Sequence, residues 1–197
     1  MAFTPNGRAD AITRRSSDGT DFFCQPSYIA STFSNFVSSL ASSRSREEVP
    51  YIQLQNNSLK SEFASLLGDL PGNGPSWATE ALGREPEAAN FWCGDERSVT
   101  SFHQDHYENI YAVIAGTKEF VLLPPHEKHR VHMADFPAAT FKPGPSGYDI
   151  VPDSEGSTVR WSALDLEAPR DEEAFPRYFD PRWPKPLRAE VGEGDIL

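Results

Sequence analysis

Cysteine is nearly absent: only Cys24 and Cys93 occur in 197 residues. That is too few for the disulfide framework of a small secreted domain, so a hydrophobic core must hold the chain, and a reducing compartment is expected. No apolar run approaches the roughly 20 residues of a membrane-spanning helix, and no signal-peptide pattern opens the chain. The cytoplasm is therefore the expected location, with the nucleus as a second compartment, and no membrane partner is expected. Positive charge is also scarce. Eighteen Lys and Arg against 29 Asp and Glu leave a net charge of −11. No basic stripe is present, which argues against nucleic-acid binding, whereas an acidic surface suits solubility and a basic protein partner. There is no internal repeat. With five histidines in all, the placing of each one carries information.

The length allows one domain over residues 1–197 with a sizeable core. Pro26 opens an expected helix over about 27–42. In it Ile29, Phe33, Phe36, Val37 and Leu40 recur at spacings of three and four, one apolar face for packing on a sheet. Residues 42–48 read as a polar loop and Val49–Gln55 as a strand, with Tyr51 and Gln53 on one face. Leu59–Leu67 and Trp77–Leu82 read as short helices, the second ended by Gly83, with a Pro/Gly loop at 71–75 between them. Asn90-Phe91-Trp92 reads as a strand with Trp92 in the core. Residues 134–185 are rich in Pro and acidic groups, are broken at Pro143-Gly144-Pro145-Ser146-Gly147, and read as a long connection with one strand near 159–164. Leu187–Val191 reads as a last strand, followed by a hairpin-type turn at Gly192-Glu193-Gly194-Asp195.

The chemistry concentrates between Asn90 and Pro125. Val99–Phe102 is β-favouring and leads into His103-Gln104-Asp105. On a strand, His103 and Asp105 share a face. An imidazole and a carboxylate so placed are two-thirds of the two-His-one-carboxylate triad that suits non-haem Fe(II) oxygenases. Ile110–Ile114 and Glu119–Leu123 read as buried strands around an Ala115-Gly116-Thr117 turn, closed by Pro124-Pro125. Lys118 stands just ahead of the second apolar run, where a lysine either snorkels to water or meets an anion inside. His106 falls opposite His103 and has at most a hydrogen-bonding role. The tract His126–His132 lacks the H-E-x-x-H spacing, because Arg130 stands four after His126, and reads as solvated.

The runs Asn90-Phe91-Trp92-Cys93-Gly94, Val99 to Tyr111, Gly116 to Phe120 and Pro124-Pro125 together resemble the JmjC/cupin-type 2-oxoglutarate oxygenases, in particular their small jumonji-domain lysyl hydroxylase subgroup. Val49 to Gln53, Trp77-Ala78, Glu80 to Gly83 and Thr4 to Gly7 extend the match over most of residues 2–133, while 134–185 stay unmatched. The resemblance implies a mainly β fold with flanking helices, a double-stranded β-helix (jelly-roll, cupin-like), incomplete at its C-terminus, with 134–185 an insertion at the barrel mouth. It implies Fe(II) as metal, 2-oxoglutarate as cosubstrate and O₂ as oxidant. His103 and Asp105 resemble the first two iron ligands. Lys118 resembles the lysine on the cosubstrate's distal carboxylate, Thr100 a hydroxyl partner of that carboxylate, Asn109 an inward amide, and Tyr51 a phenol closing the pocket. If the strand continued to His103, Thr100 would face away from it, so its role requires a kink or bulge. The implied reaction is hydroxylation of a lysyl side chain on a protein substrate, a translation-associated GTPase, by an enzyme that forms a homodimer.

One element of the pattern is missing. The family's third ligand is a later histidine, and no histidine follows His132. The chain therefore reads as truncated at both ends relative to the family. A non-catalytic cupin-like binding module or an inactive fragment is the alternative. A metal-dependent sugar isomerase would want a metal-binding Glu and another His on the face of His103. A peptidase, which the resemblance also raises, would want a nucleophile elbow or zinc signature. Neither set is present.

Overall fold

The computed structural model describes residues 1–42, 48–70, 74–145 and 147–197. The loops expected at 42–48 and 71–75 fall mostly on residues 43–47 and 71–73, outside the described residues, as does Ser146 of the breaker cluster. The chain divides into two compact units.

The first unit comprises Met1–Asp10, Cys24–Thr100 and Thr140–Val151. Its centre is β1 (Ala2–Thr4), buried at all three positions and flanked antiparallel by β5 (Ser27–Tyr28) and β6 (Val49–Tyr51). Pro50 opposes Phe3 in β6. A proline cannot donate to the ladder, so β6 lies at the edge of this sheet. Next, β2 (Arg8–Ala9) pairs in parallel with β7 (Val99–Thr100). The turn between β1 and β2 needs Gly7: its φ is +73°, and a Cβ there would lie 1.9 Å from the Arg97 carbonyl oxygen.

Helix α1 (Phe33–Ser42) starts later than its periodicity suggests, because β5 occupies the residues after Pro26. It buries only Phe36. Ile29, Phe33 and Val37 are exposed, so the expected packed face is mostly open. Residues 64–69 form a 3-10 helix in place of the helix expected at 59–67. Helix α2 (Ser76–Leu82) ends as its sequence directs: Gly83 adopts φ 69° and its N–H returns to the Thr79 carbonyl. Trp92 belongs to no strand and is partly exposed. The segment's one bridge, Ile52 to Cys93, comes a residue after it.

The second unit comprises Ala11–Phe23, Ser101–Ala139 and Pro152–Leu197. Here β3 (Ala11–Arg14) neighbours β4 (Asp21–Gln25), and a two-pronged Arg14–Asp21 pair, each contact 2.8 Å, clamps their connection. Strand β8 (Thr117–Leu122) and strand β12 (Leu187–Gly192) form an antiparallel ladder running from Thr117 opposite Gly192 to Leu122 opposite Leu187. The turn expected after β12 is present, with Gly194 at φ +86°.

Residues 110–114 do not form the buried strand read from their apolar run. Only Val113 is buried, and Ile110 and Ile114 are exposed. Their backbone instead pairs with the last residues of the chain, with Tyr111 and Leu197 exchanging N–H···O bonds of 2.8 and 2.9 Å. Strand β8 is half-buried rather than buried.

Residues 134–185 are structured, not a featureless connection. They hold β9 (Ala134–Gly144), β10 (Gly147–Pro152), β11 (Thr158–Trp161) and helix α3 (Pro176–Phe179). Strand β11 pairs antiparallel with β9, Trp161 opposite Ala134. Among the described residues no helix is long and apolar enough to cross a membrane.

The tract expected to be solvated, residues 125–131, is a 3-10 helix with a buried ion pair. Arg130 is 1 % exposed and Glu127 7 %. The guanidinium donates to the Glu127 carboxylate and to the Pro184 and Tyr178 carbonyls, and its Cζ lies 5.8 Å from the ring centres of both Tyr178 and Trp183. A buried charge pair survives only when its desolvation is offset by such contacts. Arg130→Ala strands the Glu127 carboxylate and should cost about 3–5 kcal/mol. A double change to Glu127→Met and Arg130→Met should lose much less. Chemical denaturation of the three chains checks this, and equal losses for both variants would contradict it.

Candidate metal centre

Strand β7 ends at Thr100, and residues 101–110 have no regular secondary structure. The expectation that His103 and Asp105 share a strand face is therefore corrected: the backbone is irregular there. The question of a bulge at Thr100 disappears with the strand.

The two side chains still converge. His103 Nε2 lies 3.7 Å from Asp105 Oδ2, with the side chains 34 % and 53 % exposed. The tautomer of His103 follows from its other nitrogen. Nδ1 is 2.9 Å from the Ser101 carbonyl oxygen. A carbonyl only accepts, so Nδ1 carries a hydrogen, and in the neutral form of the ring Nε2 is then the bare nitrogen. That lone pair and a carboxylate oxygen face one another across a gap too long for a hydrogen bond. A cation between two such donors satisfies both. Asn109, expected as an inward amide, is exposed, and its Nδ2 donates to the same Asp105 oxygen over 3.4 Å.

Two residues that the sequence did not flag complete this group. The Trp161 ring lies parallel to the His103 imidazole, centres 5.6 Å apart and planes 6° apart. Its indole N–H donates to Ser101 Oγ at 2.7 Å, and the ring of Phe23 meets it edge-on at 4.9 Å. Sixty positions separate Ser101 from Trp161. A strand was legible near 159–164, but nothing in the spacing told which side chain it would aim at the histidine.

Lys118 stands in β8 opposite Val191, on the less exposed face with Phe120, whose ring packs against Tyr111 at 5.0 Å. Burial pulls the Lys118 ammonium below its ordinary pKa, and no hydrogen bond or ion pair to it occurs among the described residues. Burial of a cation without a counter-charge is unfavourable, and an anion beside it would offset that cost.

Thr100 and Tyr51 sit in the first unit. Thr100 is exposed and pairs with Ala9. Tyr51 pairs with Ala2, and its ring covers Gly94 so closely that a Cβ there would be 2.5 Å from Cδ2. The structure thus joins His103, Asp105 and Asn109 directly and places Lys118 on a strand of the same unit. Among the described residues no group of three or more His, Cys, Asp or Glu side chains is arranged to hold a metal. The donor set is a pair, two of the three side chains that the two-His-one-carboxylate triad uses.

A model of the cupin-like domain family matches residues 1–197. The chain is 37 % identical over 204 residues to the Arabidopsis thaliana protein named lysine-specific demethylase JMJ32, covering all of this chain and 57 % of that protein. It is 35 % identical over 198 residues to the Homo sapiens protein named bifunctional peptidase and (3S)-lysyl hydroxylase JMJD7, covering all of this chain and 59 % of that one. A third relative, JmjC domain-containing protein E of Dictyostelium discoideum, is 38 % identical over 147 residues, 72 % of this chain and 42 % of its own length. The chain thus spans less than two-thirds of each of these relatives. Cupins are jelly rolls, so the mainly β, cupin-like fold class read from the sequence stands.

The isolated charge on Lys118 has a measurable consequence. Its folded pKa is lowered, so the unfolded chain binds the extra proton more readily. Stability then rises with pH between the lowered value and the ordinary lysine value, and the penalty is fully present below that window. Lys118→Met should stabilise the unliganded chain at neutral pH, and the advantage should shrink as pH climbs through the window. Thermal melts of both chains over pH check this, and a pH-independent difference would contradict it.

Proposed function

Since this chain belongs to the cupin-like domain family, we propose that it is the metal-bearing part of an Fe(II)- and 2-oxoglutarate-dependent dioxygenase that hydroxylates a lysyl side chain of a protein. The observation that carries this is the pair of lone-pair donors, His103 Nε2 and an Asp105 carboxylate oxygen, held face to face at 3.7 Å. Bound there with 2-oxoglutarate and O₂, Fe(II) supplies oxidation of an unactivated C–H bond. The protein's own residues do the positioning. The Ser101 carbonyl keeps the His103 proton on Nδ1, and Asn109 holds the Asp105 oxygen by hydrogen bond. Lys118 offers the unspent positive charge for the distal carboxylate of the cosubstrate. Thr100 as a hydroxyl partner of that carboxylate and Tyr51 as a phenol closing the pocket rest on motif resemblance alone.

The choice of a lysine substrate is supported by two relatives whose names both specify lysine, one as a demethylase and one as a lysyl hydroxylase. A translation-associated GTPase as the protein carrying that lysine, a homodimeric assembly, and residence in the cytoplasm and nucleus belong to the same proposal. So does the placing of residues 134–185 at the mouth of the barrel, which gains support from the stacking of Trp161 on His103.

A second reading has one observation in its favour. Only two metal donors cluster among the described residues, which suits a cupin-like module that binds without catalysis.

Calorimetric titration with Mn(II), a redox-silent stand-in for Fe(II), with and without 2-oxoglutarate separates the two readings. The oxygenase reading expects binding to the wild-type chain, loss of metal affinity of at least about tenfold in His103→Ala and in Asp105→Ala, and retained metal binding in Lys118→Ala. That last variant should lose about 2–5 kcal/mol of 2-oxoglutarate affinity, the usual effect of removing one partner of a buried charge pair. A wild-type chain that takes up neither ligand decides for the binding module.

A further inference from the structure

We propose that Trp161 is a positioning residue for the His103 imidazole, fixing both its plane and which of its nitrogens is bare. The proposal rests on the metal reading of His103 only for its consequence, since the geometry itself belongs to the protein.

Three contacts build the device. The indole N–H donates to Ser101 Oγ at 2.7 Å. The carbonyl of that same Ser101 accepts the Nδ1 hydrogen of His103 at 2.9 Å. The indole face then lies over the imidazole with the planes 6° apart. The ring is thus held by the Trp161 stack on one side and by the Ser101 carbonyl in its plane, and Trp161 holds the side chain of that serine. Trp161 is itself anchored as the last residue of β11, paired with Ala134, and is braced by the edge of Phe23 at 4.9 Å.

This matters because the backbone does not supply the restraint. Residues 101–110 lack regular structure, and an exposed imidazole on irregular chain samples several rotamers and both neutral tautomers. A ligand that must be ordered before it binds loses affinity, and groups that orient a ligating histidine typically contribute about 10–100-fold in metal affinity. The stack and the serine bridge order His103 in advance. The residue responsible lies in the stretch 134–185, which carries no recognisable motif.

The test uses the full 197-residue chain. Trp161→Phe keeps a flat ring over the imidazole but removes the N–H. Ser101→Ala removes the oxygen that accepts it while keeping the backbone carbonyl. Ser101→Thr keeps an acceptor hydroxyl. Nitrogen-15 NMR of the metal-free proteins, at a pH where the imidazole is neutral, reads the His103 tautomer directly. Co(II) titration, followed by its visible spectrum, reads the affinity of the pair.

The wild type and Ser101→Thr should show hydrogen on Nδ1. Trp161→Phe and Ser101→Ala should both move toward a mixture of tautomers. Each should weaken Co(II) by about tenfold, and the double variant should lose no more than either alone. Should Trp161→Phe fail to fold, Ser101→Ala carries the same test. If the tautomer responds while the wild type ignores Co(II), the positioning role stands and the iron reading falls. If the wild type binds Co(II) and neither variant changes tautomer or affinity, the positioning role is overturned.

Discussion

The hydrogen bond from His103 to a backbone carbonyl two residues behind it decides what the site can be. With Nδ1 committed to Ser101, the bare Nε2 lone pair turns toward Asp105. Had the proton been on Nε2, the same two residues would close as an ordinary imidazole–carboxylate hydrogen bond and leave nothing for a ligand. In the neutral form of the ring, the two atoms facing each other over 3.7 Å are both acceptors. The gap persists because Asn109 and the Ser101–Trp161 bridge hold the partners from behind.

Lys118 presents the complementary case. A pair of acceptors facing each other and a half-buried ammonium facing none are each unfavourable alone. Both lie in the second unit, and each becomes favourable when it meets charge of the other sign. A protein that carries such costs without a ligand is spending stability on function. Contrast Arg130, which is more deeply buried but engages a carboxylate, two carbonyls and two aromatic faces. The two cations differ in what surrounds them, and that difference separates a structural charge from a receptive one.

The sequence carried the chemistry further than it carried the architecture. His103 and Asp105 were legible from their short spacing, and Asn109 from the resemblance: side chains two and four apart can meet on a strand, a turn or an irregular loop. The strand assumed beneath them was not there. Apolar runs at 110–114 and 119–123 promised buried strands, yet much of that surface is open, because an apolar run records what a segment can bury and not whether a partner covers it. The helix at 33–42 makes the same point: it holds four residues of the expected apolar face and buries one of them, Phe36. Signals rooted in backbone sterics fared better. Gly83 ended α2 and the glycines after β12 made their turn, since a positive φ depends on the residue itself.

Arg130 and Trp161 were missed for a common physical reason. Each owes its importance to partners some fifty to sixty positions away, Pro184 and Tyr178 for one and Ser101 for the other. Both also looked ordinary locally: an arginine among histidines in a polar tract, and a tryptophan in a Pro-rich acidic stretch. That stretch has no motif, yet it props the residue on which the whole metal reading turns. A propping residue need only offer a flat face and one N–H at the right place, a demand on shape that many surrounding sequences can satisfy. A ligand must supply a particular lone pair, a demand on chemistry that few residue types meet. It follows that the ligating half of such a site is written in motifs and the supporting half is visible only once the chain is folded.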